Sequence, residues 1–300
     1  MKKTILVAGA TGNLGQKICF ELKDRGAEVR ALVRPESHEE TVKALQEKGI
    51  ITVEVDYHVM SGLESACKGV SCVVSALAGL QDAIIDKQAK LLDAAINAGV
   101  PRFIPSDFCT DYTQLPEGCN RNFDLRKKFA EIIDHRTIKA TSIFNGAFSY
   151  ILQYDIPLLN PKNKTIGYFD GKSDWKIDFT ALEDTAAFTA CAALDDTTPR
   201  YLRIAGFQVS PEELVGFAEK IYNAPFQLHN IGLMHDFQHT INHIRKENPE
   251  SENELYPAWQ QMQYLYSMFA AHHQHTDNEK YSGISWTGIE EVLKKINNNR

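Results

Sequence analysis

The sequence predicts an α/β fold: a doubly wound parallel sheet with a smaller, mostly helical C-terminal lobe. Three observations carry this. Apolar, β-rich runs alternate with amphipathic helical stretches through the first half of the 300 residues. The first of those runs passes straight into a glycine-spaced turn and then a helix. Beyond about residue 150 the alternation loosens into longer helical stretches. Strands alternating with helices imply right-handed crossovers and a parallel sheet.

Taken in order, Thr4-Ile5-Leu6-Val7-Ala8 is continuously apolar, as in a strand buried on both faces. Gly9-Ala10-Thr11-Gly12-Asn13-Leu14-Gly15 follows at once. Leu14, Ile18 and Leu22 recur four apart on a helix that stops at Gly26, and residues 28–33 read as a second strand. Strand, glycine turn, helix, strand is the context of a dinucleotide-binding unit. Gly9 permits the tight turn, Gly12 lets backbone approach a pyrophosphate, and Gly15 lets the helix pack against the sheet. Free N–H groups at the helix start then meet the phosphate charge.

The second strand ends Leu32-Val33-Arg34-Pro35. An acid at that point holds the ribose 2′-hydroxyl of NAD. Arg34 instead suits a 2′-phosphate, which its planar fork can grip, and this favours NADP(H). Glu36 keeps NAD open, and Lys43 adds charge if the next helix folds back over the adenosine. Residues 51–55 form a third strand ending at Asp56, which falls near the adenine. Residues 63–67 read as a short helix. Residues 70–76 are a fourth strand leading into Leu77-Ala78-Gly79. Residues 88–98 are helical and close at Gly99, and residues 102–105 are a fifth strand. Ligands of such sheets bind at the carboxyl ends of the strands. The glycine loop, Arg34, Asp56, residues 75–79 and residues 106–108 all fall there, as a Rossmann fold requires.

In the later chain, residues 160–164 are a loop, residues 184–194 a helix and residues 201–204 a strand. Ser210-Pro211-Glu212-Glu213 starts a helix with an N-cap serine, proline at N1 and first-turn acids. Residues 259–273 form a helix rich in methionine and aromatics. Its Met262, Tyr264, Leu265, Met268 and Phe269 either pack in the core or line an aromatic pocket. The division expected is a nucleotide-binding domain over 1–155 and a substrate lobe over 156–300, with about 175–205 packing back on the sheet. His235, His239 and His243 lie four apart. A zinc site needs further ligands, and no glutamate accompanies this run as in HExxH. They read as surface histidines, and no metal site is expected.

Composition excludes other classes. Net charge is −7, from 32 Lys and Arg against 39 Asp and Glu, which argues against nonspecific binding to nucleic acid or an anionic membrane. No apolar run approaches the roughly 20 residues that span a bilayer. The basic start Met1-Lys2-Lys3 runs into too short an apolar stretch for a signal peptide. The six cysteines (19, 67, 72, 109, 119 and 191) contain no CxxC pair, which suits reduced thiols and a cytoplasmic location.

Several segments together resemble one family. These are the opening Gly-Ala-Thr-Gly-Asn-Leu-Gly with its GxxGxxG spacing, Val33-Arg34-Pro35-Glu36, Ser75-Ala76-Leu77-Ala78-Gly79, and Arg102-Phe103-Ile104-Pro105-Ser106-Asp107-Phe108. They look like the atypical short-chain dehydrogenases of the NmrA-like and isoflavone-reductase-like group. The resemblance implies that Gly9, Thr11, Gly12, Asn13, Leu14 and Arg34 contact NADP(H). It places Ser75, Ala76, Leu77 and Ala78 along the nicotinamide ribose and Phe108 near the nicotinamide. Gln88 and Lys90 lie where some members use a polar side chain near the cofactor. Asn145-Gly146-Ala147-Phe148 resembles the segment that ends the sixth strand and borders the pocket.

One position departs from that pattern. The family's reductases carry a lysine in a Phe-x-x-Lys-x-Lys-Val pattern, as general acid/base or substrate orienter. Here the segment is Phe123-Asp124-Leu125-Arg126-Lys127-Lys128-Phe129, and Arg126 stands at the lysine's place. Arginine stays protonated, so it can stabilise an oxyanion but is a poor general base. Lys127 takes the role only if the register shifts by one. The short-chain dehydrogenase pattern Tyr-x-x-x-Lys occurs only at Tyr168 and Lys172, across an Asp-Gly turn, which excludes a tyrosine one helical turn from its lysine. The resemblance implies an NADP(H)-dependent reductase of a small aromatic or carbonyl-containing substrate. The alternative is a non-catalytic NADP(H)-binding redox sensor. Neither reading involves nucleic acid or membrane, and a monomer or homodimer is expected.

Overall fold

A computed structural model describes residues 2–299. Six strands form its central sheet: β1 (Thr4–Ala8), β2 (Glu28–Val33), β3 (Ile51–Glu54), β4 (Cys72–Ser75), β5 (Arg102–Ile104) and β6 (Lys139–Ala140). Their order is β3-β2-β1-β4-β5-β6 and every pairing is parallel. The order reverses between β1 and β4, and that switch point is where such sheets open a crevice for a ligand.

One face of the sheet is covered by α1 (Asn13–Asp24) and α6 (Leu182–Leu194). Ile5 and Val7 pack there with Ile18, Leu22, Ala186 and Phe188. The other face is covered by α3 (Met60–Cys67), α4 (Gln88–Asn97) and α5 (Arg121–Asp134). Leu6 and Phe103 meet Leu63, Leu91, Phe129 and Ile133 on that side. Strand residues thus face cores in both directions, which is why β1 and β4 read as unbroken apolar runs. The helix α2 (Glu39–Glu47) follows β2 and sends Leu45 into the first core.

Past β6 the chain bends away. Strand β7 (Ser142–Phe144) pairs in parallel with β11 (Tyr201–Arg203). Residues 182–203 therefore belong late in sequence but pack on the early half. Arg102, buried at the start of β5, anchors this return by donating to the carbonyls of Ala192 and Ala193 at 2.9 and 3.0 Å.

The remaining chain forms a lobe with two small sheets. One joins β12 (Phe207–Val209), β10 (Ile177–Thr180) and β8 (Ala147–Phe148); the other joins β13 (Gln227–Gly232) to β9 (Thr165–Phe169). Around them lie α7 (Pro211–Tyr222), α8 (Met234–Glu247), α9 (Ala258–Ala270) and α10 (Ile289–Asn298). Phe169, Phe179, Leu214, Phe269 and Leu293 fill the lobe's own core. Helix α7 starts after an N-cap Ser210 with proline at N1, as its sequence predicts, and Glu213 completes a capping box there.

Some boundaries differ from the sequence reading. The third strand stops at Glu54, and the fourth helix is preceded by a π-helical turn over Asp82–Lys87 that no side-chain cap announces. The aromatic helix ends at Ala270 rather than at 273. Ala271 is extended, and the buried carboxylate of Asp178 accepts the N–H of His273 at 2.8 Å, drawing the chain out of the helix. Tyr168 lies in β9 and the backbone turns at once from Phe169 to Lys172, so the Tyr-x-x-x-Lys spacing is a strand and turn.

Candidate cofactor cleft and active site

The loop from β1 to α1 is set by backbone contacts. Gly9 has φ +73°, and a Cβ there would lie 2.4 Å from the carbonyl oxygen of Ala76. A Cβ on Gly15 would lie 2.1 Å from the carbonyl oxygen of Gly9, so α1 can start only where it does if residue 15 has no side chain. Gly15 thus answers to the turn itself rather than to the sheet. Gly12 differs: its φ is −79° and a Cβ would be 3.2 Å from Gly9 O, a tight but tolerable approach. Gly12 is exposed, and the start of α1 has neither a capping side chain nor a first-turn acid. Its free N–H groups and the positive end of the helix dipole are therefore left to an outside anion. Thr11 and Leu14 are half-buried and Asn13 is exposed beside them.

Arg34 directly follows β2, and Asp56 lies two residues past the end of β3. The backbone continues to pair past both strands, with Val55 N–H donating to Val33 O at 3.0 Å. The Arg34 side chain is 56% exposed and has only a loose ion pair with Glu36 at 3.6 Å. Asp56 is exposed and accepts the N–H of His58 at 2.8 Å.

The opposite end of the cleft begins where β4 and β5 finish. Ala76 N–H donates to Ala8 O, and Ser106 Oγ donates to Leu77 O at 2.7 Å, stitching the two strand ends together. Ser75 is fully buried and its hydroxyl has no protein partner among the described residues. Ala76 and Leu77 are half-buried and Ala78 is exposed. Phe108 is buried, and Leu14, Ala76 and Phe148 pack against the same core. Gln88 is buried in a structural clamp: its Oε1 accepts Ser106 N–H and its Nε2 donates to Ile84 O, both at 2.9 Å. Lys90 points the other way, to His58 at 3.5 Å.

Helix α5 carries the two candidate cations, Arg126 and Lys127. Its N-cap Asn120 accepts the N–H of Phe123 at 3.2 Å, and the next turn aims Arg126 back at the sheet. Arg126 Nε donates to Ser106 O at 2.9 Å and its Nη1 to Asn122 O at 2.8 Å. Lys127 faces elsewhere, donating to Leu115 O at 2.6 Å and lying 3.7 Å from Asp124. Asn122, one turn before Arg126, uses its side-chain amide as a splint. Oδ1 accepts Arg121 Nε at 3.0 Å, and Nδ2 donates to Leu255 O at 3.1 Å and to the Tyr264 hydroxyl at 3.0 Å. Burial pushes the Tyr264 phenol up to about 12, against the pull of the Arg126 guanidinium.

Further buried polar groups lie beyond this end. Asp107 accepts from Ser142 Oγ at 2.6 Å and Tyr112 Oη at 2.9 Å, and burial raises its pKa. Asp178 and His273 face each other at 3.7 Å, both buried. Burial raises Asp178 to about 6 and lowers His273 to about 4. The side-chain amide of Asn145, at the end of β7, is buried without a protein partner among the described residues. The sequence places Asp107 at the strand end over 106–108 but gives no role of its own to it, to Asn122 or to the Asp178–His273 pair. The only local signal was the spacing of Asn122 and Arg126, four apart on one helix face. His235 and His239 lie on α8 with their Nε2 atoms 3.0 Å apart, exposed. Among the described residues no group of three or more His, Cys, Asp or Glu could hold a metal. No helix among them is long and apolar enough to cross a membrane.

With this geometry in view, known proteins give a consistent comparison. The NmrA-like family matches residues 1–296. Pinoresinol reductase 2 of Arabidopsis thaliana is 31% identical, over 73% of this chain and 74% of that protein. Bifunctional pinoresinol-lariciresinol reductase 1 of Linum usitatissimum is 29% identical, over 72% and 74%. A solved structure, AtPrR2 with NADP+ and (+)pinoresinol, superimposes with a TM-score of 0.82 at 25% identity and covers 99% of each chain. The glycine loop, the strand order and a match that runs nearly end to end agree: this chain belongs to the NmrA-like family.

Proposed function

We propose that this protein is an NADP(H)-dependent reductase of a small aromatic or carbonyl-containing molecule. The observation that carries the reading is the placement of Arg126. One guanidinium in the cleft is fixed by the carbonyl of Ser106, at the strand end opposite the phosphate loop. The curated relatives, named as pinoresinol and lariciresinol reductases, and the NADP+ complex of a structural neighbour support it. The residues fit the cofactor. The bare start of α1 suits the pyrophosphate, Arg34 suits a 2′-phosphate, and Ser75 to Ala78, with Phe108, border the nicotinamide end. Bound NADPH supplies the hydride. The chain's part is to orient the nicotinamide, exclude water with the C-terminal lobe, and stabilise negative charge developing on the substrate.

Arg126, rather than Lys127, carries that last role, because Arg126 reaches the strand end at Ser106 while Lys127 turns to Leu115 O and Asp124. NADPH oxidation should be followed by its absorbance against aldehydes, ketones, quinones and lignan-like ethers. Arg126→Ala should lower kcat about 100-fold, as loss of one oxyanion donor does, while Lys127→Ala keeps most of it. NADPH bound tightly but oxidised by no acceptor would overturn the reductase reading and leave a redox sensor.

A further inference from the structure

Arginine at position 126 leaves the site with a fixed cation and no proton to give. A guanidinium stabilises an oxyanion but does not release its proton in the working pH range. Reduction of a carbonyl needs both a hydride at carbon and a proton at oxygen. We propose that Tyr264, on α9 of the lobe, is the general acid of this enzyme, and that Asn122 orients it. The proposal rests on the reductase reading above.

The hydrogen-bond inventory of Asn122 fixes the direction of the Tyr264 hydroxyl. Asn122 Oδ1 accepts from Arg121 Nε, and one Nδ2 hydrogen goes to Leu255 O. Flipping the amide would put donor against donor and acceptor against acceptor, so the remaining Nδ2 hydrogen must point at Tyr264. The phenol oxygen is therefore an acceptor there, and its own hydrogen is turned away from Asn122. Among the described residues, no hydrogen bond takes that hydrogen. Phe123, edge-on to the Tyr264 ring at 5.3 Å, holds the ring in place. Asn122 also accepts the Arg126 guanidinium through its backbone carbonyl, so one residue holds the cation and the phenol together. The Arg126 charge acts on the Tyr264 hydroxyl and opposes the effect of burial there. Tyr256, 6.2 Å away ring to ring, is largely exposed and has no such splint among the described residues.

In the step proposed, the acceptor carbon takes the hydride and its oxygen takes the phenolic proton of Tyr264 as the C=O double bond becomes single. The tyrosinate left beside Arg126 regains a proton from water. One NADPH and one proton are consumed for each alcohol formed.

The test uses the whole chain with NADPH and benzaldehyde. Tyr264→Phe keeps the ring and removes only the hydroxyl. It should bind NADPH as wild type does and lose about 100-fold in kcat. Adding Arg126→Lys to Tyr264→Phe should recover at least tenfold of that loss, because an ammonium can give up a proton where a guanidinium cannot. A readout independent of turnover is the 13C signal of tyrosine Cζ. The resonance missing from Tyr264→Phe should shift when benzaldehyde is added to the NADP+ complex. Tyr264→Phe with kcat within twofold of wild type overturns the proposal and leaves the reductase reading standing; so does an unshifted Cζ signal. A wild type that oxidises NADPH with neither benzaldehyde nor any other screened acceptor overturns both.

Discussion

The phosphate loop is shaped by backbone contacts among seven consecutive residues, Gly9 to Gly15, and by one neighbouring strand end. The far end of the same cleft is assembled from side chains as much as 142 residues apart, Asn122 and Tyr264 among them. At the first end the chain makes room for a ligand by lacking side chains. At the second it builds a surface by interlocking them. The two ends should therefore fail differently: the first through steric collision, the second through loss of polar partners and shifts in proton affinity.

The strongest way to break this contrast lies within the loop. Gly15→Ala would put a methyl 2.1 Å from Gly9 O, where only backbone can yield. It should cost about 3 kcal/mol, the upper part of the range for overpacking. Gly12→Ala meets the same oxygen at 3.2 Å with an ordinary φ and should fold nearly as well as wild type, yet bind NADPH poorly. Urea unfolding paired with NADPH titration checks both. Equal stability losses for the two variants would mean that Gly12 serves packing and not a ligand.

The same contrast governs how much was legible in the sequence. Close backbone approach leaves its trace locally, as glycines at fixed spacing, so the loop, its helix and the sheet around it were readable. Strands β1 and β4 were readable because both their faces are buried. The polar end left no such trace. Gln88 was noticed on its helix, but its partners Ser106 and Ile84 are set by tertiary packing. Tyr264 appeared only as one aromatic among several on an apolar helix. Its hydroxyl gains meaning from Asn122, on another element. The packing of about 175–205 back on the sheet is expected from the sequence, but the partner is not: that β11 pairs with β7 is set by tertiary contacts with no local trace.

The side-chain end can be probed through Asp178 and His273. Asp178 binds its proton more tightly folded than unfolded, with a pKa raised from 3.8 to about 6. Its contribution is fully present below the unfolded value and is lost as pH rises through about 6. His273 is shifted the other way, from 6.5 to about 4. Its contribution is present above the unfolded value and is lost as pH falls through about 4. The two slopes oppose each other across nearly the same window and largely cancel in wild type. His273→Gln removes one of them. Relative to wild type, its unfolding free energy should fall by about 3 kcal/mol between about pH 4 and pH 6. Urea unfolding at intervals across that range measures the difference. Parallel curves for the two proteins would show that the pair does not titrate as its burial implies.

The smallest effect tests whether the contrast reaches the outer edge of the loop end, where Arg34 presents a side chain. Arg34 is more than half exposed and, among the described residues, its charged partner is Glu36 at 3.6 Å. An exposed ion pair of that kind contributes little to stability, on the order of 0.5 kcal/mol, so Arg34→Ala should unfold much as wild type does. The guanidinium is thus free for a phosphate, and a charge-assisted hydrogen bond of roughly 1.5–3 kcal/mol would be lost with it. NADPH affinity should fall by about tenfold or more while NADH affinity hardly moves, and added salt should weaken NADPH binding less in the variant than in wild type. A preference for NADPH that survives Arg34→Ala would transfer the phosphate to Lys43 or to backbone at the end of β2. The discrimination would then rest on the same material as the glycine loop, and the division between the two ends of the cleft would be cleaner than the side chain at residue 34 suggests.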